Sequence, residues 1–295
     1  MLQALQVRGR FDMPSLQPTP FSNAPLTIVL PVLNEAATLV PRLQALQPLR
    51  ARGARVVVAD GGSTDGTLAL ALQHADLALL APRGRGAQMN AGAAAGFAPS
   101  PSGGRRGWGP AAPPAGARPA LAHPAQKISQ PSCLTTTDGI LLFLHADTAL
   151  PEDADHGIRQ ALHSGAVWGR FDVRIDSPRP VFRLVETLMN LRSRWSGVAT
   201  GDQAVFVRRS AFEAVGGFED IALMEDIALS RALSRLSRPA CLRQRVTTSA
   251  RRWEQHGVWR TVLLMWRLRA AYFWGADPAQ LALRYGYRPR QPHPP

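Results

Sequence analysis

Two short stretches place carboxylates where they could do chemistry. Asp60-Gly61-Gly62-Ser63-Thr64-Asp65 follows the apolar run Val56 to Ala59, so an acid stands at a strand end and two glycines let the backbone approach a ligand closely. Such a carboxylate can accept from a base N–H or a ribose hydroxyl. As a plain turn residue it would compete with Ser63 and Asp65, both good helix caps. His145-Ala146-Asp147 follows a second apolar run, Ile140 to Leu144. Asp147 is suited to a divalent cation, Mg2+ or Mn2+, bridging a diphosphate. His145 points to the same side of an extended segment and either binds phosphate, touches the metal or packs.

Glu225 and Asp226 are adjacent at an expected helix start. The helix dipole favours acids there without any chemistry, while a carboxylate facing a cleft would serve as a general base. Neighbouring helical side chains diverge by about 100°, so one of the two is expected to face the cleft. Gly201-Asp202-Gln203 adds a further acid at a turn. Arg83 and Arg85, flanked by Gly84 and Gly86 and followed by Gln88-Met89-Asn90, could clamp a phosphate through the bidentate guanidinium fork; otherwise they are solvated surface arginines. Arg252-Trp253 joins a charge to a flat apolar face, or else sets a core tryptophan beside a surface arginine.

The elements that must position these groups alternate. Leu26 to Leu30 reads as a strand ending in Pro31-Val32-Leu33-Asn34-Glu35, and Leu39, Leu43, Leu46 and Leu49 follow at helical spacing, with Pro41 expected in the first turn and Pro48 at the far end. A strand at 56–59, a helix at 67–73, a strand at 76–80 and an alanine-rich helix at 85–97 come next. Beyond a break come strands at 140–144, 167–175 and 204–207, with helices at 152–163, 181–195, 210–215 and 225–236. This alternation predicts an α/β fold with a mostly parallel sheet flanked by helices, and the acids gather on one rim of it. The break, 98–137, holds eight prolines and five glycines and is read as a disordered insertion within a single domain. Residues 1–25 read as a loose N-terminal arm, and 251–285 as a C-terminal helical extension.

The chain has 295 residues, 45% of them apolar, and a formal charge of +13 carried almost wholly by arginine. A charge of that sign suits nucleic acid or an anionic membrane, yet no compact basic block interleaved with aromatics occurs, so no nucleic-acid partner is expected. Cys133 and Cys241 match neither a disulfide framework nor a CxxC pattern, which fits a reducing cytoplasm. No apolar run reaches the roughly 18 residues of a spanning helix. The nearest, Val258 to Trp274, is broken by Arg260, Arg267 and Arg269; it either caps the core or lies in a lipid interface on the inner face of the cell membrane. Neither GxGxxG nor GxxxxGK[ST] is present, which weighs against hydride transfer and ATP hydrolysis.

Taken in order, Pro31-Val32-Leu33-Asn34-Glu35, Asp60 to Asp65, His145-Ala146-Asp147, Gly216-Gly217-Phe218, Glu225-Asp226 and Arg252-Trp253 resemble the family 2 glycosyltransferases over about residues 26–285, apart from the insertion. Within that family, Pro82 to Gly92, Leu142 to Asp147, Trp168-Gly169-Arg170-Phe171-Asp172 and Thr200-Gly201-Asp202-Gln203 are similar to a bacterial subgroup named for its genome association with radical-SAM and selenium-related proteins. The resemblance implies a GT-A fold, a nucleotide-diphosphate sugar as donor and inversion at the anomeric carbon. By matching position it implies that Asp60 binds the base, Glu35 lines the nucleotide pocket beside Pro31 and Asn34, Asp147 binds metal, and Asp226 is the base, with Asp202 and Glu225 as its rivals. The family's usual metal motif has an aspartate where this chain has His145. Processive relatives carry Gln-x-x-Arg-Trp, whereas Ser249 precedes Arg252-Trp253 here, which argues against a polymerising enzyme. The acceptor is open, with a lipid suggested by the tail helix. The competing readings are a nucleotidyltransferase, which would want a glycine-rich basic loop after the first strand, and a non-enzymatic membrane-surface protein.

Overall fold

The computed structural model describes residues 24–96 and 138–287. The insertion at 98–137, Cys133 and residues 1–23 of the N-terminal arm lie outside the described residues; of the arm's last two residues, Ala24 lies in the core and the Pro25 carbonyl accepts from the Ile140 N–H.

Four strands with mutually parallel neighbours open the fold: β1 (Leu26–Val32), β2 (Arg55–Asp60), β3 (Leu77–Leu80) and β4 (Ile140–Phe143). Between them run α1 (Ala36–Ala45), α2 (Gln47–Ala51), α3 (Thr67–His74) and α4 (Arg85–Gly96). The leucine spacing gives two helices, not one. Pro41 sits inside α1, which starts three residues before Leu39, and Pro48 lies in the first turn of α2, where its missing N–H costs nothing. β1 is buried along its whole length, as a strand covered on both faces must be. Leu26, Ile28 and Leu30 pack on α1 and α2 through Leu39, Leu43 and Leu49, while Val29 packs on Met89 and Ala93 of α4.

The second half departs from parallel order. After β5 (Thr148–Ala149) and α5 (Ala154–His163) come β6 (Trp168–Asp176), α6 (Pro180–Ser196), a 3-10 turn at Gly201–Gln203, β7 (Val205–Arg208), α7 (Arg209–Ala214), α8 (Glu225–Ser234) and β8 (Ala240–Ser249). The chain closes with α9 (Arg251–His256), α10 (Val258–Phe273) and α11 (Pro278–Tyr285). The single sheet runs β3-β2-β1-β4-β7-β6-β8-β5, with β7 antiparallel to β4 and β6, and β5 antiparallel to β8. β8 has no counterpart in the sequence reading, because Arg243 and Arg245 break its apolar pattern. Its Val246 and Thr248 are nevertheless buried.

α6 is locked to β6 by polar contacts as much as by packing. Asn190 exchanges two hydrogen bonds with the Val173 backbone. The fully buried Arg170 pairs with Asp172, whose other oxygen takes Arg194 at 2.6 Å. A buried cation needs such partners to offset its lost hydration. The sequence reading of 258–274 is met in part: Val258, Thr261 and Leu268 of α10 are buried, while Trp259, Leu263, Trp266, Phe273 and, just beyond the helix, Trp274 remain exposed.

Candidate functional site

Because β7 runs against β4, its beginning lies beside the end of β4, with Val205 opposite Phe143. The 3-10 turn before β7 therefore meets the residues after β4. Gly201 sits under the His145 ring: a Cβ there would lie 2.0 Å from the ring carbon Cε1. His145 Nδ1 is 3.4 Å from Asp202 Oδ1. Asp147 joins them, one ligand atom from each of His145, Asp147 and Asp202 lying within 4.8 Å of the others. Burial acts to raise the Asp202 carboxyl, but the hydrogen bond and charge of His145, with Arg85 and Arg269, hold it below its ordinary value.

Asp147 owes its place to the unforeseen strand. β5 begins at the next residue and pairs with β8, Thr148 opposite Thr248, and the Asp147 carbonyl accepts from the Ser249 N–H. One imidazole nitrogen and two carboxylates form a hard, mixed donor set that fits Mg2+ or Mn2+. Asp202 thus joins His145 and Asp147 as a residue that could hold a cation, a grouping that sequence order alone did not suggest.

Asp226 faces the same turn. Its Oδ2 accepts from the Gly201 N–H at 2.9 Å and its Oδ1 from the Ile227 N–H at 2.8 Å, which fixes the carboxylate and leaves each oxygen a free lone pair. Glu225 is buried beside it, and burial followed by the Asp226 charge pushes its carboxyl above the ordinary value, Arg85 acting in the opposite direction. Both acids line the cleft, although only one was expected to. Met224, the residue before them, has φ of 75°, and Ala204, just after the 3-10 turn, has φ of 47°. Left-handed backbone at a methionine and an alanine is strained and needs its surroundings to hold it.

The acidic loop after β2 is braced from the first strand. Asp60 is fully buried; its Oδ1 accepts from the Gly62 and Ser63 N–H groups, while Oδ2 has no partner. Gly61 lies against the Gln88 amide, which donates to the carbonyls of Val32 and Ala59. Asn34, at φ of 55°, donates its N–H to Ser63 and accepts from Thr64, Asp65 accepts from the Ala36 N–H, and the Glu35 N–H donates to Thr67. The loops after β1 and β2 are thereby one unit, as adjacent parallel strands require.

Other residues took different places. Asn90 bonds the Phe218 backbone through its amide, donating to the carbonyl and accepting from the N–H, so it clamps the Gly216-Gly217-Phe218 turn. Arg83 is exposed. Arg85 lines the cleft and donates to the Tyr287 hydroxyl; burial opposes its charge, but Tyr287 and Glu225 more than offset that and hold it protonated. Trp253 meets Phe182 edge to face and also lines the cleft, combining its two sequence readings. The Arg252 side chain lies outside the described set. The cleft measures about 700 Å³ and extends from these acids between α6 and α10.

Residues 27–96, the span from β1 to α4, match the family model described as glycosyl transferase family 2. No curated protein matches the chain. Among solved structures, a mannosyltransferase, PcManGT from Pyrobaculum calidifontis, in complex with GDP-Man and Mn2+, aligns over 94% of this chain and 73% of that one, with a TM-score of 0.53 and 16% identity. S. aureus TarS 1–349 in complex with UDP aligns over 76% of this chain and 60% of that one, with a TM-score of 0.50 and 14% identity. This chain therefore spans about three fifths of the TarS structure's length. The fold is GT-A, a mixed sheet flanked by helices.

Proposed function

We propose that this chain is a glycosyltransferase that moves a sugar from a nucleoside-diphosphate sugar to an acceptor hydroxyl with inversion at the anomeric carbon, in the bacterial subgroup named for radical-SAM and selenium-related proteins. The observation that carries the reading is the adjacency, across Gly201, of the His145, Asp147 and Asp202 cluster and the oriented Asp226 carboxylate. Inverting transfer needs those two functions side by side: one end to accept a leaving diphosphate, another to take a proton from the attacking oxygen.

In this reading Asp60, whose Oδ2 is buried without a partner in this structure, is the acceptor for the nucleotide's base or ribose, and Pro31, Asn34 and Glu35 border that pocket. His145, Asp147 and Asp202 would hold the cation, which when bound supplies positive charge to the diphosphate. Arg85, kept protonated, adds a second positive group lining the same cleft. Asp226 accepts the proton as the acceptor oxygen bonds to the anomeric carbon. The electrons of the breaking bond leave with the nucleoside diphosphate. Trp253 offers a flat face to the sugar or acceptor.

We take residues 26–285 to be one catalytic unit, with 251–285 forming the acceptor wall. Among the described residues no helix is long and apolar enough to cross a membrane. The exposed aromatics of α10 support contact with the inner membrane face from the cytoplasm, and hence a lipid acceptor. Ligand-induced thermal stabilisation across UDP, GDP, dTDP and CMP, with and without Mn2+, tests the donor site, because a ligand of the native state alone must raise Tm. A selective, Mn2+-enhanced shift that Asp147→Ala abolishes is expected. A folded protein that responds to none of them refutes the reading.

A further inference from the structure

The cleft's far end has a character that donor chemistry does not use. α6 presents Leu184, Leu188, Leu191 and Trp195, spaced along one stripe, and α10 presents Trp259 and Trp266 opposite them; all six are at least 40% exposed and all line the cleft. The stripe repeats at helical spacing. Water would not be met by choice with so much contiguous apolar surface.

At the foot of this groove, where it meets Asp226, stand Arg192 of α6 and Arg269 of α10. Arg192 Nε and Nη2 and Arg269 Nε are buried with no acceptor. The nearby acids do not supply one. Asp226 is engaged with two backbone N–H groups, and Asp202 with His145. Burial, then repulsion from Arg269, lowers Arg192 to about 10, against the partial support of Asp226; Arg269 is likewise lowered by burial, with Asp226 and Asp202 opposing. Two cations with unfilled N–H donors call for an anion, and guanidinium forks match the geometry of a phosphate.

We propose that this groove takes a single-tailed lipid phosphate, its hydrocarbon chain lying between α6 and α10 and its phosphate on Arg192 and Arg269. This deepens the glycosyltransferase reading, on which it rests for the ligand's role as acceptor: the anionic group anchors the headgroup, and a hydroxyl of that headgroup reaches Asp226. The walls are apolar, the foot is cationic, and the two are continuous, which an amphiphile satisfies and a free sugar or a nucleotide does not.

The test is a tryptophan-fluorescence titration of the full chain with bromododecyl phosphate, bromododecanol and inorganic phosphate, since bromine in the groove quenches Trp195 and Trp266. The phosphate ester is expected to quench saturably and to bind at least ~10-fold more tightly than the alcohol, the scale of a charge-assisted pair. Arg192→Gln combined with Arg269→Gln should remove that difference, Arg192→Lys should remove part of it because the fork is lost, and Leu188→Asp should weaken both amphiphiles. The thermal shift with the nucleotide should persist in all these variants. Equal binding of ester and alcohol, or inorganic phosphate binding as tightly as the ester, overturns the proposal. So does loss of the nucleotide shift in the double arginine variant, which would assign the pair to the donor's diphosphate. Ester binding in a wild-type protein that answers to no nucleotide would instead uphold the groove and refute the donor reading.

Discussion

Gly201→Ala probes the join between the proposed cation cluster and the proposed base. Gly201 has no left-handed φ, so alanine's backbone is unstrained there and any effect is steric. The new methyl would meet Cε1 of His145 at 2.0 Å and Nε2 at 2.1 Å. Ordinary contact needs the ring to retreat by about 1.4 Å, several times the ~0.2 Å within which ligand distances must be kept. A displacement of that size alters the 3.4 Å contact of the imidazole, 12% exposed, with Asp202. Overpacking of this kind costs about 1–3 kcal/mol, and Mn2+ affinity should fall by at least ~10-fold, since a ligand is lost outright. The assay is Tm and Mn2+-induced shift for Gly201→Ala, His145→Ala and the double variant. Removing the ring removes the clash, so the alanine at 201 should be nearly harmless in the His145→Ala background, a coupling of about 1–3 kcal/mol. Equal destabilisation in both backgrounds would refute the steric account, and an unchanged Mn2+ response in Gly201→Ala would take His145 out of the cluster.

Asp60→Asn keeps an oxygen for the Gly62 and Ser63 N–H groups but turns the bare acceptor edge into a donor. Stability should change by only about 1 kcal/mol while the nucleotide-induced shift disappears; a retained shift argues against base or ribose recognition by Asp60. For Glu225, whose carboxyl is raised by burial and by Asp226 against the pull of Arg85 and His145, the protonated form is the one the fold favours. Its stabilisation is complete below the unfolded value of about 4.3 and is lost as pH rises through the higher folded value. Glu225→Gln should therefore gain on wild type in Tm as pH climbs from about 4, and parallel Tm curves would show that the shift is absent. Gly92 of α4 packs so closely on β1 that a Cβ would lie 2.4 Å from Val29 Cγ1, so Gly92→Ala should cost about 1–3 kcal/mol, read as a lower denaturant midpoint; an unchanged midpoint would mean that α4 rides higher on the sheet.

How far the sequence reveals the site depends on how local each cause is. The Asp60 loop could be read directly, since an apolar run, an acid and two glycines lie within a few residues and the parallel neighbours β1 and β2 fix the rest. Asp226 was readable as a residue but not as a partner of Gly201, because the contact needs α8 to dock on the 3-10 turn across 25 positions of sequence. Asp202 shows the limit most clearly. Nothing in Thr200-Gly201-Asp202-Gln203 points to His145, and their meeting follows from β7 running antiparallel to β4, a pairing that the alternation of strands and helices did not announce. β8 was hidden for a different reason: an edge-proximal strand rich in arginine lacks the apolar run that marks a buried one.

The two halves of the molecule divide the labour accordingly. The family match ends at residue 96, with the parallel strands that frame Asp60, where local backbone geometry shapes the loop and short motifs suffice. The proposed cation cluster, the proposed base and the arginine pair belong to the mixed half, where each group comes from a different element and is placed beside left-handed backbone at Ala204 and Met224, by the short strand β5, or by the walls of α6 and α10. Strained left-handed backbone on either side of the Asp202 and Asp226 carboxylates would be lost quickly if the fold alone were at stake, since a glycine relieves it at both positions. Ala204→Gly and Met224→Gly should accordingly hold or raise stability against the entropy they add to the unfolded chain, while loosening the carboxylates enough to weaken the Mn2+-enhanced shift. Stability and ligand response moving down together would mean that the strain belongs to packing and has no part in placing the two acids.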